Sequence, residues 1–175
     1  SAEHHFRAVA GKLHNKGENN MTFRTYPHLS KETKIINHIA ENLSTQNKHE
    51  ADLLFPGLPL PSLIQNQVDN TEQGFVIFNT QGDPCGIGGI DTTATIWFTV
   101  TENAAKDLCI SWFKQGKKWL AEQINHYRVI DGYVNENNIL SKQWMKAIGF
   151  DIAPTDSEAT ITINGENFQY FMKIK

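Results

Sequence analysis

Residues 137–150 read NNILSKQWMKAIGF, a short amphipathic run with a marked start and a marked stop. Asparagine oxygens accept from the unpaired N–H groups of a first helical turn, so Asn138 opens a helix. Glycine tolerates the left-handed backbone that ends one, so Gly149 closes it, and Phe150 returns the chain to a sheet. The spacing predicts a helix over residues 138–148.

What precedes this run is equally regular. VIDGYV (129–134) is a short β-rich stretch. Before it, TENAAKDLCISWFKQGKKWLAEQINHY (101–127) is the strongest helical pattern in the chain. Ala105, Leu108, Cys109, Trp112, Phe113, Leu120 and Ile124 share one face, and Thr101 or Asn103 caps the start. A strand, a long helix and a second strand predict a right-handed parallel crossover. Further upstream, GFVIFN (74–79), PCGIGGID (84–91) and TTATIWFTV (92–100) form an antiparallel meander. TQGD (80–83) turns the chain with Gly82 at positive φ, and Asp91-Thr92-Thr93 joins the last two strands. After the opening run, ATITI, Asn164-Gly165 and FQYFMKI spell a hairpin, because Asn-Gly suits a tight primed turn.

The first third is less uniform. MTFRTY (21–26) alternates as a strand and stops at Pro27. Ser30 is expected to cap a helix through Leu43, with Ile35, Ile36, Ile39 and Ala40 on its apolar face and Glu32 favoured in its first turn. EADLLFPGLPLPSLIQNQV (50–68) contains three prolines, which a continuous helix excludes. It reads as a broken, partly helical loop with a second short helix near 62–68. Its apolar residues cover a sheet face or, over Leu53–Leu63, form the lip for a protein partner. Residues 1–20 read as a flexible tail or expression-vector residues, and residues 21–175 as one domain. His4, His5 and His14 have no carboxylate or cysteine partner at ligand spacing, so no metal site is expected.

The order β-α-α-β-β-β-α-β-α-β-β predicts an α/β domain on one mixed sheet. At 175 residues such a chain buries roughly 70% of its unfolded surface. A net charge of -3, with 16 Lys and Arg spread thinly, argues against nucleic acid as a partner. Cys85 and Cys109 fit neither a disulfide framework nor a zinc spacing and read as two buried thiols. No apolar run reaches the roughly 18 residues of a membrane span, and a cytoplasmic setting is expected.

The strand order, with Asn138, Ser141, Trp144, Met145, Gly149 and Phe150 in the final helix, resembles the GNAT superfamily, the GCN5-related N-acetyltransferases. PCGIGGID and TATIWFTV look like that family's third strand and its fourth, cofactor-binding strand. The chain is closer still to small GNAT-like proteins of short-tailed bacteriophages, including a minor internal virion protein. Gly88-Gly89, Trp97-Phe98, Asn138 and Ile148-Gly149 carry that likeness. The resemblance implies helices on both faces of a central sheet whose fourth and fifth strands splay apart. It implies acetyl-CoA as cofactor, its pantetheine arm hydrogen-bonded to the fourth strand's backbone as an added strand would be. Phe98, Thr99 and Val100 would then meet the arm, Thr101, Asn103 and Ala104 the pyrophosphate, and Asn138 would steady the arm.

Two departures stand against acetyl transfer. The family's phosphate loop is glycine-rich, so that backbone N–H groups close around the pyrophosphate; here the segment is TVTENAAKDL, with Glu102 where phosphate would lie. At ~4 Å and an effective dielectric near 20, each like-charge pair costs up to about 4 kcal/mol, against about 8 kcal/mol for micromolar affinity. Alternatively Glu102 turns to solvent and serves a helix N-terminus. Second, Met145 stands where the family often has the tyrosine acid, and thioether sulfur donates no proton. Tyr133 is the candidate substitute. Asp91, His126, Asp131 and Glu136 are the candidate bases, each with a turn or surface role as the plainer alternative. The residues therefore leave open an acetyl-CoA-dependent N-acyltransferase with unusual residues, or a non-catalytic protein-binding module on the same fold, as a virion component or a modulator of a host protein.

Overall fold

The computed structural model describes residues 21–106 and 110–175. The expectations for residues 1–20, for Leu108 and for Cys109 lie outside the described residues. Strand β1 (Thr22–Tyr26) is followed by a 3-10 turn (Leu29–Lys31) and helices α1 (Thr33–Glu41), α2 (Thr45–Leu54) and α3 (Leu60–Asp69). Strands β2 (Thr71–Phe78), β3 (Pro84–Asp91) and β4 (Ile96–Val100) form the meander. Helices α4 (Glu102–Lys106) and α5 (Ile110–Gln123) lead to β5 (Val129–Asn135). Helix α6 (Ile139–Ile148), β6 (Asp151–Ile152), β7 (Ile161–Ile163) and β8 (Glu166–Ile174) complete the chain.

The strands form two four-stranded halves. The first runs β1-β2-β3-β4; the second runs β5-β8-β6, with β7 also on β8. Every named strand pairing is antiparallel. The expected parallel crossover survives as one bridge between Thr95 and Asp131, where Asp131 N–H donates to Ala94 C=O at 3.2 Å. Gly132 lets the halves meet there: a Cβ would lie 2.7 Å from Phe171 Cζ and 3.1 Å from Ile96 O.

Period-two alternation covers the first half on both faces. Val76 and Ile87 pack with Ile36, Ile39, Leu43, Ile64 and Val68 from the α1–α3 side. Phe75 and Ile77 pack with Trp112, Trp119 and Leu120 from α5. Each such buried side chain contributes about 1.5–3 kcal/mol. Gly88 is needed in the middle, because a Cβ would meet Trp97 O at 2.5 Å.

Several expectations change. Ser30 lies in the 3-10 turn, and α1 begins at Thr33 behind Glu32, with no side-chain cap bond. Residues 50–68 are partly helical and broken at the prolines, as expected, and the second helix starts earlier, at Leu60. Ser44 caps α2 by accepting from Asn47 N–H at 3.2 Å, and Pro61 lies in the first turn of α3, where no N–H is needed. Only Pro56 and Pro59 remain between the helices. Helix α2 escapes periodicity because Ala51 is its single buried residue. The long helix is described as α4 and α5, and it stops at Gln123, whose C=O accepts from His126 and Tyr127 N–H. The opening run folds as read. Asn138 caps α6, and Gly149 has φ +113°, with Phe150 N–H donating to Met145 C=O at 2.8 Å. Asn164 and Gly165 also take the positive φ values of a primed turn.

Candidate functional site

Beyond the Thr95–Asp131 bridge, β4 and β5 enter different sheets and leave a wedge. A cavity of about 400 Å³ opens at its mouth, between the start of α2 (Ser44–Asn47), the end of β4 (Val100) and the start of α6 (Asn138, Ser141, Trp144).

Asn138 joins two of these walls. Its Oδ1 accepts from Ser141 N–H at 3.1 Å, capping α6, and its Nδ2 donates to Glu50 Oε1 on α2 at 2.9 Å. Gln46 Nε2 and Asn47 Nδ2 also donate to Glu50, at 3.4 and 3.3 Å. Burial pushes the Glu50 carboxyl above its ordinary 4.5, against the opposing pull of those three donors. At the preceding position, His49 Nε2 lies 2.6 Å from Glu166 Oε2. The Asn135 amide donates to the same carboxylate at 3.0 Å, and that bond is the first cause holding Glu166 below the usual range. Asn164 Nδ2 closes the far end of α2 by donating to Leu53 C=O at 2.7 Å.

The α2 start lies directly on β4. Val100 N–H donates to Asn47 Oδ1 at 3.0 Å, and Val100 C=O accepts from Ser44 N–H at 2.9 Å. Glu102 is partly exposed and serves the start of α2, its Oε2 accepting from Thr45 N–H at 2.8 Å. Lys106 Nζ is 4.0 Å from the other oxygen, with both groups exposed, a pair worth little. Behind the cavity, Phe98, Trp112 and Trp144 pack with ring centroids 5.2–5.5 Å apart. The indole N–H groups of Trp112 and Trp144 are buried without an acceptor.

Of the residues read as cofactor-binding, Val100 and Asn138 line this cavity. Thr101 and Asn103 line a second one of about 320 Å³ on the other side of Thr45 and Glu102. Phe98, Thr99 and Ala104 line neither; Thr99 and Ala104 are buried. Tyr133 is 49% exposed and packs on Tyr170 with ring centroids 5.5 Å apart. Asp91 holds the β3–β4 turn, accepting from Thr93 N–H and Thr95 N–H. His126 is exposed past the end of α5. Asp131 accepts from Tyr170 O–H at 2.6 Å, and Glu136 from Asn167 Nδ2 at 3.4 Å. None of these five lines either cavity. Sequence reasoning missed Asn47 and Glu50; the signal for the first was Ser44 three residues ahead of it, a capping pattern. Among the described residues, no group of three His, Cys, Asp or Glu could hold a metal ion, and no helix is long and apolar enough to cross a membrane.

No family model matches the chain, and no curated protein matches it either. Solved structures do. An N-acetyltransferase from Staphylococcus aureus Mu50 superposes with a TM-score of 0.57 at 14% identity, over 89% of this chain and 98% of its own. The chain has the GNAT fold. AAC(6')-Ib, in complex with paromomycin and acetyl-CoA, superposes at 0.57 with 13% identity, over 89% and 94%. A GNAT superfamily phosphinothricin acetyltransferase from Sinorhizobium meliloti, in complex with acetyl-CoA, gives 0.53 at 11%, over 88% of each chain.

The residues at the wedge do not fit acetyl-CoA as the GNAT resemblance would place it. Both main-chain groups of Val100 on the open edge of β4 are engaged. Residues 100–106 contain no glycine. Glu102 lines both cavities; among the described residues no Lys or Arg lines the first, and Lys48 lines the second, beside Thr101 and Asn103.

Proposed function

We propose that this chain is a degraded relative of the acetyl-CoA-dependent N-acyltransferases, of phage type, which keeps the GNAT fold and acts by binding another protein. One observation carries this reading: the open edge of β4, where a pantetheine arm would add, is hydrogen-bonded by Ser44 and Asn47 of the chain itself. Glu102 supports it, since a carboxylate beside a pyrophosphate repels it. The partner surface is the Leu53–Leu63 segment, where Leu54, Phe55 and Leu58 stand 39, 46 and 36% exposed. A role as a virion component or as a modulator of a host protein follows from the phage likeness.

The test is an acetyl-CoA titration followed by thermal denaturation. A true ligand at 100-fold excess over its dissociation constant stabilises a fold by about 2.7 kcal/mol. The proposal expects no shift at millimolar acetyl-CoA; a saturable shift overturns it. The second reading, an N-acyltransferase, is favoured by the wedge itself and the cavity at its mouth. In that reading Phe98, Thr99 and Val100 take the arm, Thr101, Asn103 and Ala104 the pyrophosphate, and Asn138 the arm's far side, after the start of α2 withdraws.

A further inference from the structure

The segment that meets β4 does more than touch it. Leu43 forms an antiparallel bridge with Thr101. Around that bridge Ser44 N–H donates to Val100 C=O at 2.9 Å, and Glu102 N–H donates to Asn42 C=O at 3.0 Å. Ser44 is extended, with φ -61° and ψ 151°. Residues Asn42–Ser44 therefore add to the end of β4 as a short edge strand. Asn47 Oδ1 then continues the pattern on the other main-chain group of Val100, accepting from its N–H at 3.0 Å. An extended ligand adding to an exposed strand edge makes this same pattern of main-chain bonds.

We propose that Asn42–Asn47 is a built-in occupant of the wedge, a covalently attached substitute for a ligand arm, and that occupancy rather than charge alone closes the wedge to cofactor. This deepens the non-catalytic reading of the same site and rests on it. The occupant is secured from both sides. Thr45 N–H donates to Glu102 on the β4 side at 2.8 Å. Asn47 and Asn138 both donate to Glu50, which ties α2 to the start of α6 on the β5 side. Of α2 itself only Ala51 is buried, so polar bonds and not apolar burial hold the helix across the opening.

Charge and occupancy predict different behaviour toward pantetheine, which keeps the arm and lacks the phosphates. Repulsion by Glu102 alone would let it bind; occupancy shuts it out. In the full chain, Val100 amide exchange and its NMR resonance are followed with pantetheine and with acetyl-CoA. The expected result is a protected Val100 amide whose resonance does not move with millimolar pantetheine. In Asn47→Ala its exchange should rise at least tenfold, with the core amide of Val76 unchanged as the folding control. A Val100 resonance that titrates with pantetheine in the unaltered protein overturns the proposal, and that measurement needs no variant. Equal exchange in Asn47→Ala and the unaltered protein overturns it too. Acetyl-CoA binding that leaves Val100 unmoved would remove the non-catalytic reading and leave the occupied edge standing, so the two failures are distinguishable.

Discussion

Replacing Asn138 with alanine removes two bonds that the unliganded fold uses. The first is the α6 cap, Oδ1 to Ser141 N–H at 3.1 Å; losing such a cap costs about 1 kcal/mol. The second is the 2.9 Å bond from Nδ2 to Glu50. Burial already raises the Glu50 pKa, and stripping a donor from a buried acceptor costs about 1–3 kcal/mol. Together Asn138→Ala should cost about 2–4 kcal/mol, and 3 kcal/mol in a chain of this size lowers Tm by about 6–12 °C. Urea and thermal denaturation without any ligand measure it. Asn138→Ser keeps a capping oxygen and should recover about 1 kcal/mol. Asn138→Asp also keeps the cap but sets a second carboxylate against Glu50. A raised folded pKa means that the fold binds the Glu50 proton more tightly than the unfolded chain does. Ionised Glu50 therefore weakens the fold above that pKa, and protonation restores stability as pH falls through it. The penalty of Asn138→Asp should shrink over that same fall in pH. A double-mutant cycle with Glu50→Ala should show a coupling of about 0.5–3 kcal/mol. If Asn138→Ala changes stability by less than about 0.5 kcal/mol, the range of an ordinary surface site, the assignment of Asn138 to this junction is wrong.

Three further outcomes are expected. The hydrogen bond to Asp131, first, and then burial push Tyr170 up to about 12 from 10.0. Its stabilisation should be complete below the unfolded pKa and lost as pH rises from there through the folded value of about 12; Asp131→Asn should bring the phenolate absorbance titration back toward 10.0. Gly132→Ala should destabilise by about 1–3 kcal/mol, because its Cβ would meet Phe171 and Ile96 O where the two halves join; a change under 0.5 kcal/mol, measured by urea denaturation, would deny that close approach. Trp144→Phe removes a buried N–H that has no acceptor and should cost under about 1.5 kcal/mol, whereas Trp144→Ala should cost about 3–5 kcal/mol by the same measurement.

Much of this architecture is written locally. The helix over Asn138–Ile148, its glycine stop, the meander and the Asn164-Gly165 hairpin each rest on neighbours within a few residues: a cap, a positive φ, a period of two or of 3.6. A linear pattern carries those requirements, which is why the GNAT-like order was legible before any coordinates. What tertiary structure alone decided is where polar groups far apart in the chain meet. Asn47 reaches Val100 across 53 residues, Glu102 reaches Thr45 across 57, and Glu50 reaches Asn138 across 88. No periodicity marks such pairs, since α2 buries almost nothing apolar and polar side chains choose partners by distance, not by spacing along the chain. The sequence by itself determined the order of strands and helices and the meander, hairpin and capped helix within it; only the packed chain determined that the strands divide into two antiparallel halves and that the opening between them is filled from within.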